Sequence, residues 1–291
     1  MQKPEKIFLA VFLTIISSLA YALMIAMTKI VGQTISSPMI ILFRYGVTFL
    51  ILLPFIAISD PSAMKTTYPQ KHLFRSIFGF LGLVTTMIAT RHISVPNAVL
   101  LSNTYPLFLP LLIFFYEKKQ LSKSMTFGIL IGFFGIGYIL QPSCQMINPY
   151  EFLALSSGFF TAMTMTYVRE LTQIQTMGQI NFQFLCYSLI FALILSVFQF
   201  QIPAKEILWK LLLIGLIGTI YQQTFVWALR YAHSVIVAPI FYLSIVFGAL
   251  IEWIGAGTTP TRETLIGCGL VFIGATITVV VGGQAKHLTR R

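Results

Sequence analysis

Ten stretches of about twenty apolar residues each, roughly the length that lets a helix cross a bilayer, take up nearly the whole chain: 7–28, 38–58, 73–90, 95–115, 124–141, 149–168, 177–199, 208–229, 234–254 and 264–282. Turn and helix-start signals punctuate them, among them Ser36-Ser37-Pro38, Asp60-Pro61, Gln141-Pro142 and Thr259-Pro260. In hydrocarbon every backbone donor and acceptor must be satisfied within the chain, so such segments become helices or nothing. Composition agrees. Of 291 residues, 57% are hydrophobic and only 9% charged, against about 25% charged in a soluble domain. The first stretch follows Lys3 and Lys6 and resembles a signal peptide, but its partner copy later in the chain assigns it to the fold.

The net charge of +11 comes from bases scattered singly between apolar stretches. They form no phosphate-tracking stripe, so nucleic acid is not expected as a partner. With the N-terminus in the cytoplasm, Lys3, Lys6, Lys65, Lys71, Arg75, Lys118, Lys119, Lys123, Arg169, Arg230, Lys286, Arg290 and Arg291 fall in cytoplasmic segments. Only Lys29, Arg91, Lys205, Lys210 and Arg262 fall outside. That asymmetry predicts both termini in the cytoplasm. The three cysteines form no C-x-x-C pair and no histidine stands at ligand spacing, so no disulfide framework, metal or cofactor is expected.

Shifted by about 139 residues, the chain partly matches itself: Ser17-Ser18 with Ser156-Ser157, Gly79 with Gly218, Arg91 with Arg230, Gly128 with Gly267, Gly135 with Gly274. The expected units are residues 1–142 and 143–291, with five spans each. Because five is odd, the second unit enters the membrane from the opposite side. The fold class expected is therefore all-α and integral to the membrane, with ten transmembrane helices as two inverted five-helix repeats. Inverted pairs are a recurring design of secondary transporters, with substrate near the midplane between repeats.

The stretches FRYGVTFLILLP (43–54), SVPNAVLLSNTYPLFLPLLIFFYEKKQLSKSMTFGILIGFFGIG (94–137) and VAPIFYLSIVFGALIEWIGAGTTPTRETLIGCGLVFIGA (237–275) resemble the EamA-type members of the drug/metabolite transporter superfamily. The family pattern is a proline-rich span with a glutamate near its end, a short turn and a glycine-rich closing span. Glu117 stands at the glutamate position of the first half; Thr258 occupies it in the second, with Glu252 six residues earlier. The resemblance implies a multi-pass metabolite permease of a bacterial cytoplasmic membrane, acting on amino-acid-like or S-adenosylmethionine-like molecules. A membrane-embedded enzyme or a non-transporting binding protein is the competing class.

Interrupted helices at matching positions of two halves point to a transporter site. Pro106 and Pro110 interrupt the fourth span and Pro239 the ninth, which makes them expected hinges. Polar and aromatic groups nearby supply the expected cavity: Asn103, Tyr105, Gln222, Gln223, Trp227, Tyr242 and Glu252. Arg44 sits seven residues into its span, with Gln183 as its repeat counterpart. It is read as a cavity charge for an anionic group, as a partner of Glu252, or as a side chain snorkelling to the outer interface. Ser157, Thr161 and Thr164, and Ser17, Tyr21 and Thr28, form polar stripes read chiefly as interhelical hydrogen bonds. Gly128, Gly132, Gly135, Gly267 and Gly274 are expected at close helix packing, within the bundle or across a homodimer.

Overall fold

A computed structural model describes residues 4–59, 61–118, 122–140, 148–200, 202–232, 234–259 and 261–288. Among them it contains helices and no strand. The helices are α1 (Pro4–Val31), α2 (Ser37–Ser59), α3 (Pro69–Thr90), α4 (Val95–Ser102), α5 (Tyr105–Glu117), α6 (Lys123–Leu140), α7 (Pro149–Leu171), α8 (Met177–Val197), α9 (Lys205–Tyr231), α10 (Ser234–Phe241), α11 (Leu243–Ala256) and α12 (Arg262–Leu288). A 3₁₀ turn at Pro61–Met64 precedes α3. Among the described residues, seven segments are long and apolar enough to cross a membrane, with α4–α5 and most of α10–α11 each counted as one. The outer surface is apolar: Ile58 is 84% exposed and Ile202 87%. Trp209, Trp227 and Trp253 are each about half exposed, as the aromatic side chains of a membrane-interface belt are.

The second half repeats the first at the register read from the sequence. A shift of 139 carries α4 onto the residues of α10, and α2, α3 and α5 onto α8, α9 and α11 within three residues; it also carries α1 onto α7, which starts later, and α6 onto α12, which runs on further. The two broken spans carry Pro106 and Pro239, whereas Pro54 lies inside α2 and leaves it whole. After α4, Pro106 cannot donate to the carbonyl four residues back, and its ring crowds that carbonyl. The helix stops at Asn103 and restarts at Tyr105. In α10, Pro239 sits three residues before the break at Tyr242. Carbonyls beside the breaks take side-chain donors: Asn103 Nδ2 donates to Val99 O (2.8 Å), Thr104 Oγ1 to Leu101 O (2.7 Å) and Ser244 Oγ to Phe241 O (2.7 Å). Pro110 lies inside α5 without breaking it. The two breaks touch: Tyr242 donates its hydroxyl to the Asn103 carbonyl (3.0 Å). These residues occupy the same position in the two halves.

The five glycines pack within the chain. A Cβ on Gly128 would meet Gly274 O at 2.9 Å, and one on Gly135 would meet Gly267 O at 3.0 Å. One on Gly274 would run into the backbone of Gly132. Glycine thus lets α6 and α12 approach backbone to backbone, and these surfaces are not free for a second copy.

Contacts between turns fix which ends lie together. At one end, His92 after α3 stacks on Tyr150 of α7 at 3.6 Å between ring centroids, Ser36 before α2 donates to Gln199 O after α8 (3.2 Å), and Thr264 of α12 donates to Asn97 of α4 (3.1 Å). At the other, Gln175 between α7 and α8 reaches Thr66 before α3 (2.9 Å) and Lys71 of α3 pairs with Glu170 of α7 (2.8 Å). We call these the α3–α4 end and the α7–α8 end.

Candidate functional site

A cavity of about 180 Å³ lies between the halves. Its floor, at mid-depth, is formed by Tyr21, Ser102, Asn103, Tyr221 and Phe241, beside the break in α4–α5. Its walls continue through Thr164, Met165 and Val168 of α7, Met177 and Asn181 of α8, and Phe225, Val226 and Leu229 of α9. These residues lead towards the α7–α8 end. The walls part there because the repeat is not packed symmetrically. At the α3–α4 end α1 packs on α3 and on α4, and α4 packs on α11. The equivalent pairs at the other end, α7 with α9, α7 with α10 and α5 with α10, make little or no contact among the described residues.

Arg44 enters this cavity from α2 and is 2% exposed. It does not snorkel. Nη1 donates to Thr48 Oγ1 (2.7 Å), one turn deeper along α2, so the side chain runs away from the near interface towards the middle of the bundle. Nη2 donates to Gln222 Oε1 (3.0 Å) on α9, and Thr48 shares a hydrogen bond with Thr219 (2.7 Å). Nε has no partner. Space for the guanidinium comes from Gly218, where any Cβ would overlap Nε. All of its hydrogen-bond acceptors are neutral.

Glu252 is not its partner. One carboxylate oxygen pairs with Lys29 of α1 (2.6 Å) and the other accepts from Val95 N (2.9 Å) at the start of α4. A helix N-terminus carries unpaired N–H groups and a positive dipole end, both suited to a carboxylate. Glu252 therefore ties α1, α4 and α11 at the closed end and stands outside the cavity wall.

Of the other expected cavity residues, Asn103, Tyr105 and Gln222 line the cavity. Gln183 is turned aside to donate to Met64 O (2.9 Å) in the 3₁₀ turn. Gln223 lies outside the lining, with its amide nitrogen buried and unpartnered. Trp227 faces outward, and Tyr242 is buried between the helix breaks. The side chain of Glu117 lies outside the described residues.

The structure adds residues the sequence did not single out for the cavity. Tyr45, Tyr221, Phe184 and Phe225 join Phe241 of the ninth span in an aromatic lining. Arg75, counted above as a cytoplasmic charge, lies inside α3, 8% exposed and facing the cavity. Its guanidinium carbon sits 3.8 Å above the Phe184 ring. Two basic residues beside a span end read as interface charges, which hid it; the signal available was its spacing from Gly79 and Gly82, one and two turns further along the same face of α3.

The model of the EamA-like transporter family matches residues 8–141 and again 148–280. The pseudopaline exporter CntI of Pseudomonas aeruginosa (strain UCBPP-PA14) is 26% identical over 90% of this chain and 93% of its own. An S-adenosylmethionine uptake transporter of Rickettsia bellii is 24% identical over 91% and 90%. An uncharacterized transporter of Helicobacter pylori (strain ATCC 700392 / 26695) is 27% identical over 91% and 92%. A solved crystal structure superposes with a TM-score of 0.66 at 14% identity, covering 98% of this chain and 100% of the other, which shows a shared fold.

Proposed function

Because the chain belongs to the EamA-like transporter family, we propose that it is a permease of a bacterial cytoplasmic membrane for a small organic metabolite bearing a carboxylate, amino-acid-like or S-adenosylmethionine-like. It works by alternating access between two inverted five-helix repeats, residues 1–142 and 143–291, with both termini in the cytoplasm. The observation that carries this reading is Arg44. It is a buried cation with neutral partners only, held at mid-depth in a cavity that reaches one end of the bundle and is shut from the other. A guanidinium is matched in shape and charge to a carboxylate, and the aromatic lining suits the rest of such a ligand.

On this topology the open α7–α8 end faces the cytoplasm and the Lys29–Glu252 end faces outward. Relatives named as an exporter and as an uptake transporter leave the direction to the gradients of substrate and any coupled ion. Counterflow in proteoliposomes tests the reading: a labelled carboxylate metabolite enters vesicles loaded with the unlabelled compound, and Arg44→Gln slows entry at low substrate concentration by about tenfold or more. Saturable binding without counterflow by any candidate would leave a binding protein in place of a permease.

A further inference from the structure

The cavity holds one more cation than the function proposed above requires. Arg75 has Nε and Nη1 buried without a hydrogen-bond partner. The ring of Phe184 covers one face of its guanidinium at 3.8 Å. A cation–π contact stabilises the charge from above but leaves the in-plane N–H fork unanswered. The fork is the part that recognises planar anions. In the same cavity, Arg44 likewise keeps Nε unpartnered.

No carboxylate answers either group. The cavity wall includes no Asp or Glu among the described residues. The two ion pairs found among them, Lys29–Glu252 and Lys71–Glu170, lie elsewhere. An uncompensated buried ion is strongly destabilising even after relaxation, so two in one small cavity call for something that arrives from outside the chain.

The space between the two cations is continuous and aromatic. The guanidinium carbon of Arg44 is 5.3 Å from the centre of the Tyr45 ring, Tyr45 meets Phe184 edge-on at 5.8 Å, and Phe184 carries Arg75. Both arginines stand two turns in from opposite ends of adjacent helices. A ligand on this wall meets a cation, two rings and a second cation in order.

We propose that Arg75 is a second anion subsite, and that the transported molecule carries two anionic groups joined by a short non-ionic body lying along Tyr45 and Phe184. It belongs to the dicarboxylates or phosphocarboxylates, acidic amino-acid-like molecules among them, which narrows the class proposed above and sets aside its S-adenosylmethionine-like member. This rests on the reading of the cavity as the substrate site. A monoanion neutralises one arginine and leaves the other bare; a dianion answers both.

The test is ligand-induced thermal stabilisation of the purified full chain in nanodiscs, with the dicarboxylates malonate to adipate, each beside its monomethyl ester, and O-phosphoserine beside serine. The wild type binds at least one dianion more tightly than its monoanionic or zwitterionic match by about tenfold to a hundredfold, the range one charge-assisted hydrogen bond supplies. Arg75→Gln brings the dianion down to its match and leaves the match unchanged. Arg75→Lys keeps the charge without the fork and falls between, which guards against reading a folding defect as a lost subsite. Equal stabilisation by each pair, an Arg75→Gln loss shared by both members, or no stabilisation by any compound of the series overturns the second subsite. Counterflow of a monocarboxylate in any of those cases upholds the permease reading, and its absence for every compound overturns that as well.

Discussion

Glu252→Gln should unlatch the closed end. The carboxylate receives Lys29 at 2.6 Å and Val95 N at 2.9 Å, with side-chain exposures of 31% for Lys29 and 11% for Glu252. Fully exposed ion pairs contribute about 0–1 kcal/mol and charge-assisted hydrogen bonds about 1.5–3 kcal/mol. A glutamine amide keeps an oxygen for Val95 N and loses the charge, so the net loss is about 1–2 kcal/mol, or a roughly five- to thirtyfold change in a conformational equilibrium. The contacts at stake hold this end shut and would be absent in the state open there. The assay is thiol labelling of Val99→Cys in a background with Cys144, Cys186 and Cys268 replaced by serine. Val99 is fully buried behind the latch, close to Gly248, so its labelling rate tracks the fraction of molecules open at this end. That rate should rise about five- to thirtyfold in Glu252→Gln, with a comparable rise in Lys29→Gln and little further rise in the double variant, as expected of one shared interaction. An unchanged rate in a protein of normal melting temperature would show that the pair does not hold the end closed.

Arg44→Gln should reduce the apparent affinity for a carboxylate substrate by about tenfold or more while leaving the melting temperature unchanged or higher, because it removes a buried charge that has only neutral partners. Parallel loss of transport and folded yield would make the residue structural. Gly218→Val places atoms where the Arg44 guanidinium lies and should cost about 1–3 kcal/mol as overpacking, read as a lower melting temperature together with weakened transport; a silent variant would mean that α9 yields freely at this contact. Tyr242→Phe removes the bond to the Asn103 carbonyl and should cost about 1–3 kcal/mol for a buried acceptor left bare. Tyr221→Phe, for which no hydroxyl bond is seen, is its control, and equal losses would refute the special role of the crossing.

Much of the architecture can be read from residue identities because the bilayer leaves few choices. A shift of 139 residues, visible in scattered serines and glycines, returns in the bounds of α4 and α10 and in the bond from Tyr242 to Asn103. Proline position is likewise a local property and marks both broken spans, although Pro54 and Pro110 leave their helices whole. The site is less legible because helix periodicity loses its meaning in lipid: a span apolar on every face does not announce which face is wet. Trp227 shows the cost, since an aromatic residue suits a cavity wall and a lipid interface equally well in sequence. Glu252 shows another: its partner, Lys29, is 223 residues away and reads as a loop charge.

The two halves share a fold but not a charge pattern, and the difference bears on the transport cycle. The cluster of Arg44, Thr48, Thr219 and Gln222 has Gln183, Tyr187, Phe80 and Leu83 at the equivalent positions, and the Lys29–Glu252 latch has Val168 and Ile113. The open end would therefore close on apolar contacts while the closed end opens by parting charges. Closure also takes water from a cavity with two cations, which costs several kcal/mol per uncompensated ion. On the dianion reading proposed above, bound anion removes that cost and the empty carrier bears it in full. Exchange should thus outrun net flux: vesicles preloaded with substrate should take up label at least several times faster than empty ones. Equal rates would mean that the empty cavity closes without penalty, and that the arginines are answered by something other than the cargo.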